Sequence, residues 1–166
     1  MAARIGLAVA VLVGVLVFVA SRDVPEGLAG RPEIAVDFPA TSDPGSVQTA
    51  TFTIRNPGPN EMQSIFLSFA RVGPAEGGGE LPMPIIDAGA RHENPAIVSI
   101  SPEPEASSID AVVFRFGGLD VGESMTISFE LLMPEASGPA ANSVTAYPGE
   151  EPERAKGVRL DTEVGG

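Results

Sequence analysis

A two-sheet antiparallel β-sandwich of seven to nine strands, preceded by one N-terminal hydrophobic helix, is what this 166-residue sequence predicts. Three observations predict it. Apolar and polar residues alternate in run after run from position 33 onward, clusters of Gly, Pro and Asn punctuate the runs at close intervals, and beyond the first twenty residues no helical period lasts longer than two turns.

The chain begins with Arg4 and then Ile5–Ala20, sixteen residues without a charge or strongly polar side chain, closed by Ser21-Arg22-Asp23. A spanning helix needs roughly 17–25 apolar residues, and the apolar region of a cleaved signal is about 7–15 long with a small-x-small exit. Sixteen lies between the two, and Val19 with Ser21 is the only small pair near the exit. An uncleaved signal anchor bounded by Ile5 and Ala20, and a signal peptide cut near Ser21, are therefore both open readings, as is an ordinary buried element. Either of the first two carries the rest of the chain across the plasma membrane. The expected location is single-pass with the C-terminal domain outside, or otherwise secreted. Residues 1–21 form the leader, 22–32 a linker rich in Gly and Pro, and 33–166 the domain. That domain is long enough for one real core.

Each strand follows from its pattern. In Glu33–Phe38, Ile34, Val36 and Phe38 alternate with polar or small neighbours until Pro39 stops the run. Val47–Asn56 sets Ala50, Phe52 and Ile54 on one face and Thr49, Thr51, Thr53 and Arg55 on the other, a half-buried strand with β-branched residues toward water. It ends in Asn56-Pro57-Gly58-Pro59-Asn60, turn chemistry throughout. Ser64–Val72 follows, with Ile65, Leu67 and Phe69 on one face. The stretch from Gly73 to Pro95 is irregular, with one short strand expected around Met83–Ile86. Ile97–Ser101 and Ala111–Phe116 are short strands separated by a loop at Pro102-Glu103-Pro104-Glu105. Ser124–Leu132 alternates most clearly, with Met125, Ile127, Phe129 and Leu131 inward. Asn142–Tyr147 and Val158–Val164 close the domain.

Three pieces of this pattern resemble a family. Phe52-Thr53-Ile54-Arg55-Asn56-Pro57-Gly58-Pro59 is similar to the opening strand and N-x-G-P turn of the bacterial immunoglobulin-like domains catalogued as domain of unknown function eleven. Gly118-Leu119-Asp120-Val121-Gly122-Glu123-Ser124 resembles their G-x-L-x-x-G-E-S turn, and Pro134 to Gly138 with Asn142-Ser143-Val144-Thr145-Ala146 resembles their ending. The likeness spans about Ser46–Val164. The family's D-x-L-P motif has no counterpart in Ile65–Val72, and Glu80-Leu81-Pro82 is at best a displaced remnant. The resemblance implies an immunoglobulin-like sandwich used as an extracytoplasmic spacer or binding module, with no catalytic residues to carry over. Independently of any family, Gly58 and Gly122 stand where tight turns call for positive φ, Leu119 beside Gly118 is suited to plug the loop between two strands, and Asn142 is suited to hold a turn through its side chain. These five positions, Asn56, Gly58, Gly118, Gly122 and Asn142, are expected to be structural.

Composition limits the chemistry. The chain has no cysteine, which removes disulfides, thiolate metal sites and thiol catalysis. All but Asp23 and Glu26 of its 22 acidic residues, and all but Arg4, Arg22 and Arg31 of its 10 basic ones, lie from position 33 onward. Nucleic acid is not an expected partner of so acidic a domain with Lys156 as its single lysine. His92-Glu93 opens an H-E-x-x-H pattern, but position 96 is Ala, so the second zinc ligand is missing. Gly77-Gly78-Gly79 lacks the Lys-Ser/Thr of a phosphate loop. Glu103/Glu105 and Glu150/Glu151/Glu153 sit on Pro-rich loops without the desolvation a general acid needs. Calcium has candidate oxygen ligands in Asp37, Asp43, Glu103 and Glu105, but no EF-type loop. The expectation is a non-enzymatic module without cofactor, held at a membrane by its N-terminal helix and docking another envelope or surface protein through a strand edge or through Gly73–Pro95. A secreted ligand- or polymer-binding module, with calcium as a stabilising ion, is the alternative.

Overall fold

In the computed structural model the residues described are 29–72, 94–108, 112–149 and 151–166. The leader between Ile5 and Ala20, the strand expected at Met83–Ile86, His92 and the Gly77-Gly78-Gly79 run lie outside them. Among the described residues no helix is long and apolar enough to cross a membrane.

Among the described residues ten strands follow in chain order: β1 (Glu33–Asp37), β2 (Thr41–Ser42), β3 (Val47–Arg55), β4 (Met62–Arg71), β5 (Ile97–Ser101), β6 (Ala106–Ser107), β7 (Val113–Leu119), β8 (Ser124–Leu132), β9 (Gly138–Pro148) and β10 (Lys156–Val164). A 3-10 turn at Pro152–Arg154 precedes the last. One sheet has the order β1-β3-β8-β5 and the other β2-β10-β9-β4-β7-β6. All pairings are antiparallel except β2 with β10. With β7 and the two-residue strands set aside, β1, β3, β8 and β5 in one layer and β4, β9 and β10 in the other follow the immunoglobulin arrangement, in which the first, second, fifth and fourth strands face the third, sixth and seventh. The β6–β7 hairpin extends the second sheet beyond β4.

Alternation accounts for the core. In β3, Ala50, Phe52 and Ile54 are fully buried, and in β8 so are Ile127, Phe129 and Leu131. They meet Ile65, Leu67 and Phe69 of β4, Phe114 and Phe116 of β7, Val144 and Ala146 of β9 and Leu160 of β10 from the facing sheet. The rings of Phe52, Phe69, Phe114 and Phe129 contact one another edge to face across the interlayer space.

The structure departs from the sequence reading in the bounds of several strands, β4 starting at Met62 and β10 at Lys156, two residues early in each case. β7 starts at Val113, Ala111 of the expected strand lying outside the described residues, and runs through Gly117-Gly118 to Leu119, because its partner β4 keeps pairing as far as Met62. β9 begins at Gly138, four residues before the expected Asn142, since β10 pairs along its whole length. The two-residue strands β2 and β6 are new; both are too short to show alternation.

The sandwich has two poles. Arg55 pairs with Ser124 and Glu33 at one, and Val47 with Leu132 at the other. The nine residues of β3 span from one to the other, about 27 Å at strand rise.

The first strand changes layer. Residues of β1 pair with β3, but after Phe38-Pro39-Ala40 the chain crosses to the other sheet and β2 pairs in parallel with the end of β10. Proline, with no N–H to donate, suits the crossing point.

Candidate functional site

The turn that closes β3 and the turn between β7 and β8 form one corner around Asn56, which is completely buried. Its Nδ2 donates to the Asn60 carbonyl at 2.9 Å and to the Leu119 carbonyl at 3.0 Å. Its Oδ1 accepts from the Gly58 N–H at 2.9 Å. The Asn56 N–H donates to Glu123 O at 2.9 Å, and its carbonyl accepts from the Gly122 N–H at 2.7 Å. Gly58 and Gly122 have φ of 99° and 86°, the left-handed region that glycine enters without a Cβ penalty. Thus three of the five expected structural residues belong to one hydrogen-bonded unit, and Gly118 lies beside it.

Gly118 does not stand in the turn, however. It belongs to β7, where a Cβ would lie 2.5 Å from the Met62 carbonyl oxygen and 2.9 Å from that of Gln63. Gly118→Ala must therefore push two backbones apart. It is expected to lower stability by about 1–3 kcal/mol in urea denaturation, the usual range for overpacking; an unchanged midpoint would contradict this close approach. Asn142 also departs from expectation. It sits within β9, fully buried, opposite Leu160 and Arg71 in the ladders, rather than in a turn.

The carboxylates are dispersed. Glu105 pairs with Arg115 at 3.3 Å, both about half exposed, and Glu151 lies 3.8 Å from Arg154. Asp37, Asp43 and Glu103 are exposed. Among the described residues no three His, Cys, Asp or Glu side chains come together as a metal site.

Two surface features escape the sequence reading. The first is an aromatic pair on the outer face of the six-stranded sheet: Phe66 of β4 lies directly opposite Tyr147 of β9, with centroids 5.3 Å apart and planes within 7°. Partial burial raises the Tyr147 phenol above its ordinary pKa. The inward set Ile65, Leu67 and Phe69 already places Phe66 on the opposite face by alternation, so this signal was present. The second is a groove of about 550 Å³ where the first strand changes layer, lined by Val36 and Phe38, by Ala140 of β9, and by Arg159, Asp161 and Glu163 of β10. It requires the layer change, which no local pattern announces.

Among the described residues, three of the four exposed large aliphatic side chains lie at the pole away from Asn56, and the fourth, Val121, stands at the Asn56 corner beside Gly58. Val47 and Leu132 are exposed and cross-strand neighbours, and Val98 stands exposed in the bulge of β5 against β8. The chain leaves β4 after Arg71 and resumes at Asn94, ahead of β5, at this same pole.

No family model matches the chain, and no curated protein matches it. Solved structures do. The chain is similar to the ASH/PapD-like domain 7 of human CEP192 at 17% identity and TM-score 0.39, covering 84% of this chain and 89% of that one. It is similar to the CARDB domain of the PF1109 protein from Pyrococcus furiosus, solved in complex with di-metal ions, at 12% identity and TM-score 0.45, covering 86% and 97%. A conjugative transposon lipoprotein from Bacteroides eggerthii matches at 8% identity and TM-score 0.42, covering 82% and 98%.

Proposed function

We propose that this chain is a non-enzymatic, membrane-tethered module of a bacterial surface, related to the family catalogued as domain of unknown function eleven, that holds a sandwich outside the plasma membrane to dock another envelope protein. One observation carries the reading: the two ends of the domain lie at opposite poles. Gly30 packs against Asn56 and Asn60, so the end of the linker that follows the apolar run enters at the Asn56 corner. Gly165 and Gly166 lie at the other pole, where the Gly165 N–H bonds to Ser42 O. A tether attached at the first pole turns the second outward. That pole carries Val47, Val98 and Leu132 and both anchors of the 73–93 segment. The family relation is supported by the contact between the two turn motifs through Asn56 and Gly122.

Intact mass of the protein from membrane, soluble and medium fractions of its host, with protease added to whole spheroplasts, tests the tether. Full-length mass in the membrane fraction and loss of the domain to external protease are expected. Full-length protein in the cytosol would overturn the proposal. A mass beginning near Arg22 in the medium would favour a second reading, a secreted ligand- or polymer-binding module, which the Phe66–Tyr147 pair supports because paired surface rings offer apolar contact area beside a polar hydroxyl.

A further inference from the structure

We infer that Val47, Leu132 and Val98, with the carboxylates around them, form a docking surface for a partner protein whose aliphatic centre is ringed by lysine or arginine; this rests on the interaction-module reading and names the surface and the partner's chemistry. Strand register gathers the three. Val47 of β3 lies directly opposite Leu132 of β8, and both stand on the outer face of the four-stranded sheet, since Ala50 and Leu131 take the inward positions. On the other side of β8, a bulge between Ile97 and Ser99 interrupts the alternation of β5. Ile97 and Ile100 pack against the core, and the two residues between them turn outward together. Val98 is 55% exposed, and the Ser99 hydroxyl donates to the Glu130 carboxylate at 2.7 Å on that same face. Three adjacent strands, about 4.8 Å apart at the usual spacing, thus bring three aliphatic side chains to one end of one face. Farther along the face β3 and β8 show hydroxyls instead, Thr51 and Thr53 beside Ser128 and Thr126. A confined apolar cluster left in water marks a contact surface.

The surroundings set the partner's charge. Glu130 stands on the same face two residues before Leu132. At the pole, the Gly45 N–H reaches Pro134 O at 3.0 Å and the Met133 N–H reaches Ser46 O at 2.8 Å, which ties the loop before β3 to the loop after β8. Exposed Asp43 and Glu135 are thereby held beside Val47 and Leu132, with Glu135 so close over Gly45 that a Cβ there would lie 2.7 Å from its Oε1. Among the described residues none of these three carboxylates is ion-paired. The one basic side chain described on this face, Arg55, stands at the opposite pole and bonds Glu33 at 3.0 Å. Uncompensated negative charge around an apolar centre attracts lysine and arginine and repels an acidic surface. A second copy of this chain would bring the same carboxylates and a net charge of −12, so self-pairing is disfavoured and a partner of opposite charge is selected.

The test uses the full chain in zwitterionic detergent micelles and three fluorescein-labelled, end-blocked heptapeptides, KKLVLKK, EELVLEE and KKSTSKK, read by anisotropy against micelles alone. KKLVLKK should bind saturably and more weakly as salt is raised, and the other two should not. Leu132→Ser should weaken it roughly tenfold by removing apolar contact. Asp43→Asn combined with Glu135→Gln should weaken it severalfold and flatten the salt dependence, whereas Val121→Ser, at the Asn56 corner, should leave binding unchanged. Unchanged melting shows that the variants keep the fold; if Leu132→Ser lowers it, the carboxylate pair carries the comparison, since neither carboxylate is bonded within the described fold. No saturable binding at millimolar peptide, equal binding of either control peptide, or an equal loss with Val121→Ser overturns the inference. Self-association in sedimentation that Leu132→Ser abolishes, with no peptide bound, also overturns it and makes a second copy the occupant. Each of these results leaves the interaction-module reading standing; failure of that reading appears separately, in the fractionation.

Discussion

Phe129→Ala is expected to cost about 3–5 kcal/mol, the range for truncating a buried phenylalanine, and to be among the most damaging single truncations in the domain. Phe129 is fully buried in the middle of β8. Its ring stands 5.2 Å from those of Phe69 and Phe114, which come from the facing sheet, and 5.9 Å from Phe52 on the neighbouring strand. One side chain thus joins the two layers, and its loss leaves three rings without the edge-to-face contact that fills the space. Backbone on both sides is held by ladders to β3 and β5, so the cavity cannot close readily. With no cysteine in the sequence, no disulfide shares the load. Urea denaturation of Phe129→Ala and Phe129→Leu should show the alanine variant far below the leucine one. Equal, small shifts would mean that the interlayer packing does not depend on this ring.

The second large effect is at Asn56. Replacement by alanine removes three side-chain hydrogen bonds and leaves the Leu119 and Asn60 carbonyls and the Gly58 N–H without their partner. Each buried polar group left unmade costs about 1–3 kcal/mol, so a loss of about 3 kcal/mol is expected, a large part of the roughly 5–15 kcal/mol that holds a typical domain. Asn56→Asp sharpens the test. It keeps the acceptor for Gly58 but sets a carboxylate oxygen where Nδ2 faces two carbonyl oxygens. The native state then favours the protonated acid and raises its pKa above the unfolded value, so stability is greatest at low pH and falls as pH rises through that raised pKa. Melting Asn56→Ala and Asn56→Asp between pH 4 and 8 distinguishes the cases: the aspartate variant should lose stability across that range relative to alanine. Parallel curves would show that the corner does not close around this side chain.

The strands that could be read in advance are those whose inward residues are large and whose outward ones are Thr, Ser or charged. Ser124–Leu132 and Val47–Asn56 are of that kind, and the burial of Ile127, Phe129, Leu131, Ala50, Phe52 and Ile54 follows their period of two. Gly117-Gly118 misleads because glycine signals a turn, whereas here it permits two backbones to pass in mid-sheet. Asn142 misleads for a related reason: a turn-favouring side chain is held inside a strand by long ladders on both sides. The Asn56 corner was half readable. Both turn motifs stand out in the sequence, but the bonds from Asn56 to Leu119, Gly122 and Glu123 are tertiary and span some sixty residues. The groove has no local signature. It exists because Pro39 ends pairing in one layer and the next few residues find the other.

The parallel clasp between β2 and β10 also fixes how the domain responds to mechanical load. Tension applied at residue 30 and opposed at residue 166 runs along the strand axes, since the two attachment points lie at opposite poles. It pulls β1 lengthwise against β3, across all five pairs from Glu33↔Arg55 to Asp37↔Thr51, and slides Thr41–Ser42 against Glu163–Val164. Bonds loaded in this shearing sense yield together rather than one after another as in unzipping. A domain loaded in this way would resist stretching with its first and last strands, through the five β1–β3 pairs and the two pairs of the clasp together.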